Sequence, residues 1–340
     1  MKTVYISIPS LDDSELVPTV INAFEAASNP DRVFVGVSLL AKDKWRSKDF
    51  IKATKKYSSN IRFENDRITS SNLNLIAVGI GRKRAASLYR GEDYFLQIDS
   101  HTLFAPGWDD TLIDAYENAV KTVKNSKVVL TAYAGYYAYD ENGKRSFCDL
   151  NRQSVENAWL HCLYFPENLF YYGVIPRWDL IPPHVMKQLE PGTFVPALKF
   201  NANFAFSSGD FANNSGLYED AEFFEEELLQ TINLIKLGYS LVYPVLEKPV
   251  IGHLYGKYFR KGYGERLSKG NYSSKEYSTA QDDVSINNYK KFIRDPENKE
   301  AVRIYQEYAK IDLRFGSIKT NFFFPDKFLN SEVSSIVNIK

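Results

Sequence analysis

The feature that most narrows the possible folds is an alternation, from Val4 to Ala132, between short β-branched apolar runs and segments with helical apolar spacing. Val4–Ile8 reads as a strand. Asp12, Asp13 and Ser14 give an acidic, cap-like start to a helix running to Ala27, with Leu16, Val20, Ile21 and Phe24 at helical spacing. Asn29-Pro30 ends it, and Arg32–Leu40 is a second buried strand. Ile61–Ile68 is a weaker third strand. Gly79 and Gly81 open a helix through Tyr89, Tyr94–Ile98 is a short apolar strand, Thr111–Lys124 a helix and Lys127–Ala132 a strand. Such an order predicts an α/β fold whose mixed, mostly parallel sheet is flanked by helices, with ligands bound at the carboxyl ends of the strands.

Beyond Gly135 the pattern reads as irregular, rich in Tyr, Phe and Pro, with an Asn-rich turn at Asn213–Gly216. Regular elements return with an amphipathic helix over Phe223–Leu237, closed by Gly238, and a strand over Ser240–Val245. From Lys257 the composition becomes polar and rich in Lys and Tyr. We therefore divide the chain into a domain over residues 1–256 and a C-terminal lid or appendage over residues 257–340.

Charge and cysteine content narrow the classes, without excluding a nucleic-acid acceptor. Lys+Arg and Asp+Glu both total 42, so the chain lacks the basic excess of a dedicated nucleic-acid-binding domain. Two cysteines, Cys148 and Cys162, cannot build a disulfide framework or a zinc knuckle. No apolar window approaches the roughly 20 residues of a membrane span, and no signal peptide is visible, so a cytoplasmic protein with no membrane partner is expected.

The run with chemical content is Leu96-Gln97-Ile98-Asp99-Ser100-His101, an apolar strand ending in a carboxylate, a small residue and an imidazole. Asp99 and His101 at a strand end would both reach one divalent cation, and a mixed O/N donor set accepts Mn²⁺ while leaving positions for phosphate oxygens and water. The plainer alternative is an Asp capping the next turn beside a structural His. His253 follows another apolar strand, and the chain has only four histidines. Arg82 lies just inside the glycine-opened helix, where its planar fork suits a phosphate. Glu225, Glu226 and Glu227 start the long helix; the helix dipole alone accounts for them, the alternative being a carboxylate aimed into a cleft. Lys257–Tyr277 interleaves basic and aromatic residues, as a diphosphate clamp, a solvated tail or a nucleic-acid track would.

Residues 88–104, LYRGEDYFLQIDSHTLF, followed by Gly107-Trp108-Asp109, closely resemble the signature of the Skp1-type polypeptide N-acetylglucosaminyltransferase family. In that family Asp-Ser-His stands for the Asp-X-Asp of GT-A glycosyltransferases. Gly81-Arg82 falls where the family has Ala-Arg, and Phe224-Glu225-Glu226-Glu227 where it has Phe-Gly-Glu-Glu. The segment from Gly238 through Pro244 to His253 and Tyr255 also matches, so the resemblance covers about residues 1–260, thinly between 135 and 215.

The resemblance implies a GT-A (Rossmann-like) fold, a UDP-sugar donor with a GlcNAc-like sugar, a divalent ion (Mn²⁺ or Mg²⁺) and transfer with retention. It further implies Asp99, His101 and His253 as metal ligands and Arg82 at the donor phosphates or sugar; Lys257 is a donor-binding candidate from the clamp reading of the basic-aromatic stretch. Glu226 and Glu227 would face the acceptor and the anomeric centre, and Pro9, Ser10, Val37 and Ser38 the nucleoside. The acceptor would be a hydroxyl, on a hydroxylated protein side chain or on a hydroxylated nucleobase in DNA. A sugar-nucleotide-binding module without catalysis is the reading from a different class.

Overall fold

The computed structural model describes residues 1–41, 45–67, 77–148, 190–217, 219–222, 225–247, 250–255, 274–309 and 311–313, with the backbone of 163–164, 170–171, 175–176, 179–180 and 317–318. In chain order the main elements are β1 (Val4–Leu11), α1 (Leu16–Glu25), β2 (Val33–Ala41), α2 (Trp45–Ala53), β3 (Ile61–Arg67), α3 (Val78–Ala86), β4 (Tyr94–Ile98) and β5 (Thr102–Phe104). They continue with α4 (Trp108–Val123), β6 (Val128–Thr131), β7 (Gly135–Tyr139), β8 (Arg145–Cys148), β9 (Phe194–Pro196) and β10 (Phe204–Ser208). The last are α5 (Glu226–Lys236), β11 (Ser240–Pro244), β12 (Ile251–His253), α6 (Ser274–Arg294) and α7 (Lys299–Ala309).

An eight-stranded sheet in the order β9-β11-β6-β10-β4-β1-β2-β3 forms the centre. The pairs β1–β2, β2–β3, β1–β4 and β6–β11 are parallel, whereas β10 runs antiparallel to both β4 and β6, and β9 to β11. This is the mixed, mostly parallel α/β sheet that the alternation predicts. Every residue of β4 and β6 is buried, as strands covered on both faces must be.

The region read as irregular after Gly135 contains ordered strands. Phe204–Ser208 occupies the middle of the large sheet, with Phe204 paired to Ile98 and Ala205 to Thr131. The sequence Phe-Ala-Phe-Ser-Ser has no polar alternation because both faces are covered, so periodicity alone did not reveal it. A second sheet, β5-β12-β7-β8, lies beside the first and places β12, which ends at His253, against β5, which starts after His101.

Several signature residues are architectural. Gly107 adopts a left-handed φ of 74° at the start of α4. Trp108 is fully buried, and its indole Nε1–H donates to Ala23 O at 2.9 Å. Asp109, also fully buried, accepts from the backbone N–H of Ser28 and Asn29 and from Arg32 Nε at 2.8 Å. Glu92 likewise pairs with Arg62 and accepts from Arg90 N.

At the C-terminal end, Leu228, Leu229 and Ile232 of α5 share one hydrophobic cluster with Tyr289 and Phe292 of α6 and Val302 and Tyr305 of α7. The Tyr305 hydroxyl donates to Leu198 O at 2.8 Å. The helices of residues 274–309 are thus packed onto the helix that carries the glutamates. No helix among the described residues is long and apolar enough to cross a membrane.

Tyr5 lies across β2 at Gly36, where an added Cβ would meet the Tyr5 hydroxyl oxygen at 1.7 Å, and that hydroxyl donates to Ala85 O of α3. Gly36→Ala should therefore lower stability by about 1–3 kcal/mol through overpacking. Chemical denaturation of the two proteins measures this; an unchanged midpoint would contradict the packing.

Candidate active site

The site forms where β4 ends. Asp99 is the first residue past that strand, and its side chain keeps 23% of its surface exposed. Its Oδ1 accepts from Arg82 Nη2 of α3 at 3.0 Å, and its Oδ2 lies 2.9 Å from His253 Nε2 and 3.9 Å from His101 Nε2. One ligand atom from each of Asp99, His101 and His253 lies within 4.8 Å of the others. The imidazoles meet edge to face with centroids 4.3 Å apart, and Tyr255 packs against His253 at 4.1 Å. Two histidines separated by 152 positions in sequence are brought together because β12 pairs antiparallel with β5.

Arg82, only 4% exposed, is the link to the glutamates: Nε lies 2.5 Å from Glu226 Oε1 while Nη2 reaches Asp99. One guanidinium thus serves two carboxylates, one buried and one partly exposed, and the titration of the two diverges. Burial pushes the Asp99 carboxyl up, but Arg82 and the two imidazoles outweigh it and hold the group well below the usual carboxylate range. At Glu226, burial and the neighbouring charges of Glu227 and Asp99 outweigh Arg82, and the carboxyl is pushed up to about 7. Burial would lower the Arg82 guanidinium, yet its carboxylates hold it above its ordinary value, so it stays charged.

The three consecutive glutamates separate into different tasks because each helical step turns the side chain by about 100°. Glu225, fully buried, accepts from Glu222 N at 2.8 Å and from Asn288 Nδ2 of α6 at 3.1 Å, away from Asp99. Glu226 bonds Arg82. Glu227 accepts from Ala202 N at 2.8 Å and pairs with Lys199, whose ammonium, 1% exposed, burial lowers to about 8 against the pull of Glu227. Lys199 is a site residue that the sequence reading missed; a lysine within the apolar stretch 194–206 was the available signal.

The nucleoside candidates sit together at the ends of β1 and β2, where Pro9 pairs in register with Ser38. Ser10 and Ser38 are buried, and Ser10 Oγ has no hydrogen-bond partner among the described residues. Val37 is fully covered within the hydrophobic core and offers no surface to a ligand, so its part at this end is packing. Gly81 brings α3 close over Pro9, its Cβ position lying 3.3 Å from Pro9 Cβ. Lys257 lies outside the described residues, as do Cys162 and most of Lys257–Tyr277.

The Asp12–Ser14 segment does not cap α1 as its acidity implies. The helix has Glu15 at its N-cap with no side-chain cap bond, and Asp13 instead accepts from Ser100 and pairs with His101. Burial decides: two polar groups beside the strand end need a partner more than an exposed helix terminus does.

A family model described as Glycosyltransferase (GlcNAc) matches residues 77–311, more than half of the chain. The chain belongs to that family. No curated protein matches it by sequence. Among solved structures, this glycosyltransferase is similar to GalNAc-T7 crystallised with UDP, GalNAc and Mn²⁺, with a TM-score of 0.53 and 10% identity over 90% of this chain and 54% of that one. It thus spans about half the length of that protein, and the likeness is one of GT-A fold. S. aureus TarS 1–349 in complex with UDP-GlcNAc has a TM-score of 0.48 and 13% identity, covering 91% of this chain and 72% of that one. The mannosyltransferase PcManGT from Pyrobaculum calidifontis, in complex with GDP-Man and Mn²⁺, has 0.45 and 12%, covering 93% and 72%.

The Glu226 environment gives a stability test on metal-free protein. A carboxyl whose folded value is raised to about 7 holds a proton that the unfolded chain releases near 4.5, so its favourable contribution is complete below 4.5 and is lost as pH rises to about 7. Wild type should therefore lose stability relative to Glu226→Gln across that window, by on the order of 3 kcal/mol. Paired denaturation curves from pH 4 to 8 check it; a pH-independent difference would refute the buried, proton-holding Glu226.

Proposed function

We propose that this glycosyltransferase moves a sugar, of the GlcNAc type, from a UDP-activated donor to a hydroxyl acceptor with retention of anomeric configuration, using Mn²⁺ or Mg²⁺ held by Asp99, His101 and His253. The observation that carries the reading is the convergence of these three donors at the carboxyl end of β4, with Arg82 and two glutamates immediately behind. The residues fit a divalent ion: one carboxylate with two imidazoles is a borderline O/N set, and their donor atoms already lie within reach of a common centre. A bound ion supplies charge to offset the diphosphate leaving group.

The side chains supply the rest. Ser10 and Ser38, with Pro9, would line the nucleoside end, and Ser10 Oγ, without a hydrogen-bond partner among the described residues, supports a polar contact there. Arg82 keeps Asp99 ionised and, with Nη1 lacking a hydrogen-bond partner among the described residues, has a donor left for a donor-substrate oxygen. Lys257 would contact the diphosphate from the C-terminal appendage over residues 257–340, whose helices α6 and α7 pack on α5 of the domain over 1–256. Glu226 is engaged by Arg82, so Glu227, the more exposed of the two, is assigned to the acceptor hydroxyl and the positive charge developing at the anomeric carbon. Lys199 and Ala202 N hold Glu227 in place. The resemblance to Skp1-type polypeptide enzymes supports a hydroxylated protein side chain as acceptor.

Incubation with a panel of UDP- and GDP-sugars, with Mn²⁺, Mg²⁺ or EDTA, should release free nucleoside diphosphate from one UDP-sugar, and EDTA or Asp99→Ala should lower the rate at least about 100-fold. Addition of hydroxylated peptides should accelerate release, with hydroxymethylated DNA as the parallel arm, and NMR of the product should show the donor's anomeric configuration. Donor binding without turnover under every acceptor would leave a binding module instead, and inversion would overturn retention and make Glu227 a general base for the acceptor hydroxyl.

A further inference from the structure

We propose that Asp13, in the turn between β1 and α1, is a positioning residue that fixes the tautomer and orientation of His101 for metal binding. The inference rests on the reading of Asp99, His101 and His253 as the metal site. Asp13 is 9% exposed, and its carboxylate meets three donors. Oδ1 accepts from Glu15 N at 2.9 Å; Oδ2 accepts from Ser100 Oγ at 2.9 Å and lies 2.7 Å from His101 Nδ1. An ionised carboxylate only accepts, so Nδ1 carries the hydrogen and donates, leaving the Nε2 lone pair on the side of Asp99 and His253. A metal takes the imidazole through that unprotonated nitrogen, and a carboxylate behind the ring fixes which nitrogen that is.

The turn is built to hold this geometry. Asp12 adopts a φ of 46°, in the left-handed region that Asp tolerates better than most residues, and its N–H donates to Leu40 O of β2 at 2.7 Å. The chain thereby leaves β1 with Asp13 beside the end of β4. The same oxygen holds Ser100, so the middle residue of Asp99-Ser100-His101 is tied to the carboxylate that orients the last one. Asp13 lies outside residues 77–311, so the N-terminal segment supplies a part of the site that the family-matched region lacks.

The test uses the full chain, freed of metal, with Mn²⁺ alone as probe. Electron paramagnetic resonance of free Mn²⁺ gives the affinity, and long-range ¹⁵N–¹H correlation gives the His101 tautomer. Asp13→Ala should weaken Mn²⁺ binding by about 10–100-fold and shift metal-free His101 away from the Nδ1–H form, while Asp13→Asn, which keeps an acceptor oxygen, should lose less. Wild-type affinity together with an unchanged Nδ1–H tautomer in Asp13→Ala would overturn the proposal. Should Asp13→Ala fail to fold by circular dichroism, the wild-type tautomer decides, because an Nε2–H form would overturn it equally. Asp99→Ala is the control that separates the two readings. If wild type binds Mn²⁺ and Asp99→Ala does not, the metal site stands whatever Asp13 does; if wild type takes up no Mn²⁺, the site and this inference fall together.

Discussion

A single arginine between two carboxylates is the interaction on which the site depends. Arg82 comes from α3, Asp99 from the end of β4 and Glu226 from the first turn of α5, three elements far apart in sequence. Its guanidinium is nearly sealed from water, so each bond it makes acts at low effective dielectric and is costly to break. One positive charge cannot fully compensate two negative ones at this depth. The arrangement resolves the imbalance by keeping Asp99 ionised beside the imidazoles and letting Glu226 hold a proton near neutrality. A ligand that brings its own charge would enter a site already poised between protonation states.

Around that centre the fold works by convergence. The antiparallel pairing of β12 with β5 carries His253 to His101, and the parallel pairing of β1 with β4 and β2 brings the Asp13 turn and the Ser10–Ser38 end alongside. The α6 and α7 helices brace α5 from behind through the cluster at Leu228, Leu229 and Tyr305, so the glutamates start a helix packed on both sides. Asn288 of α6 even takes up Glu225, leaving Glu226 and Glu227 for the site.

A strong sequence motif mixes chemistry with architecture. Within residues 88–109, Asp99 and His101 lie in the candidate metal site, while Gly107, Trp108 and Asp109 join α4 to α1 and to the loop before β2. Glu92 and Arg62 tie the turn before β4 to β3. The string therefore marks a place in the fold as much as a chemistry, because the strand end cannot be presented without the turns that fix it.

The sequence by itself determined the α/β alternation of the first half, the strand ending in Asp99-Ser100-His101 and the three candidate ligands, because apolar periodicity and residue chemistry are local properties. Only the tertiary structure decided that Phe204–Ser208 is a central strand, since a run buried on both faces carries no alternation to read. It also decided which way each glutamate points, that Lys199 partners Glu227, and that Asp13 serves His101 instead of capping a helix. Those outcomes depend on which polar groups are buried together, and burial is a property of the packed chain that no single segment contains.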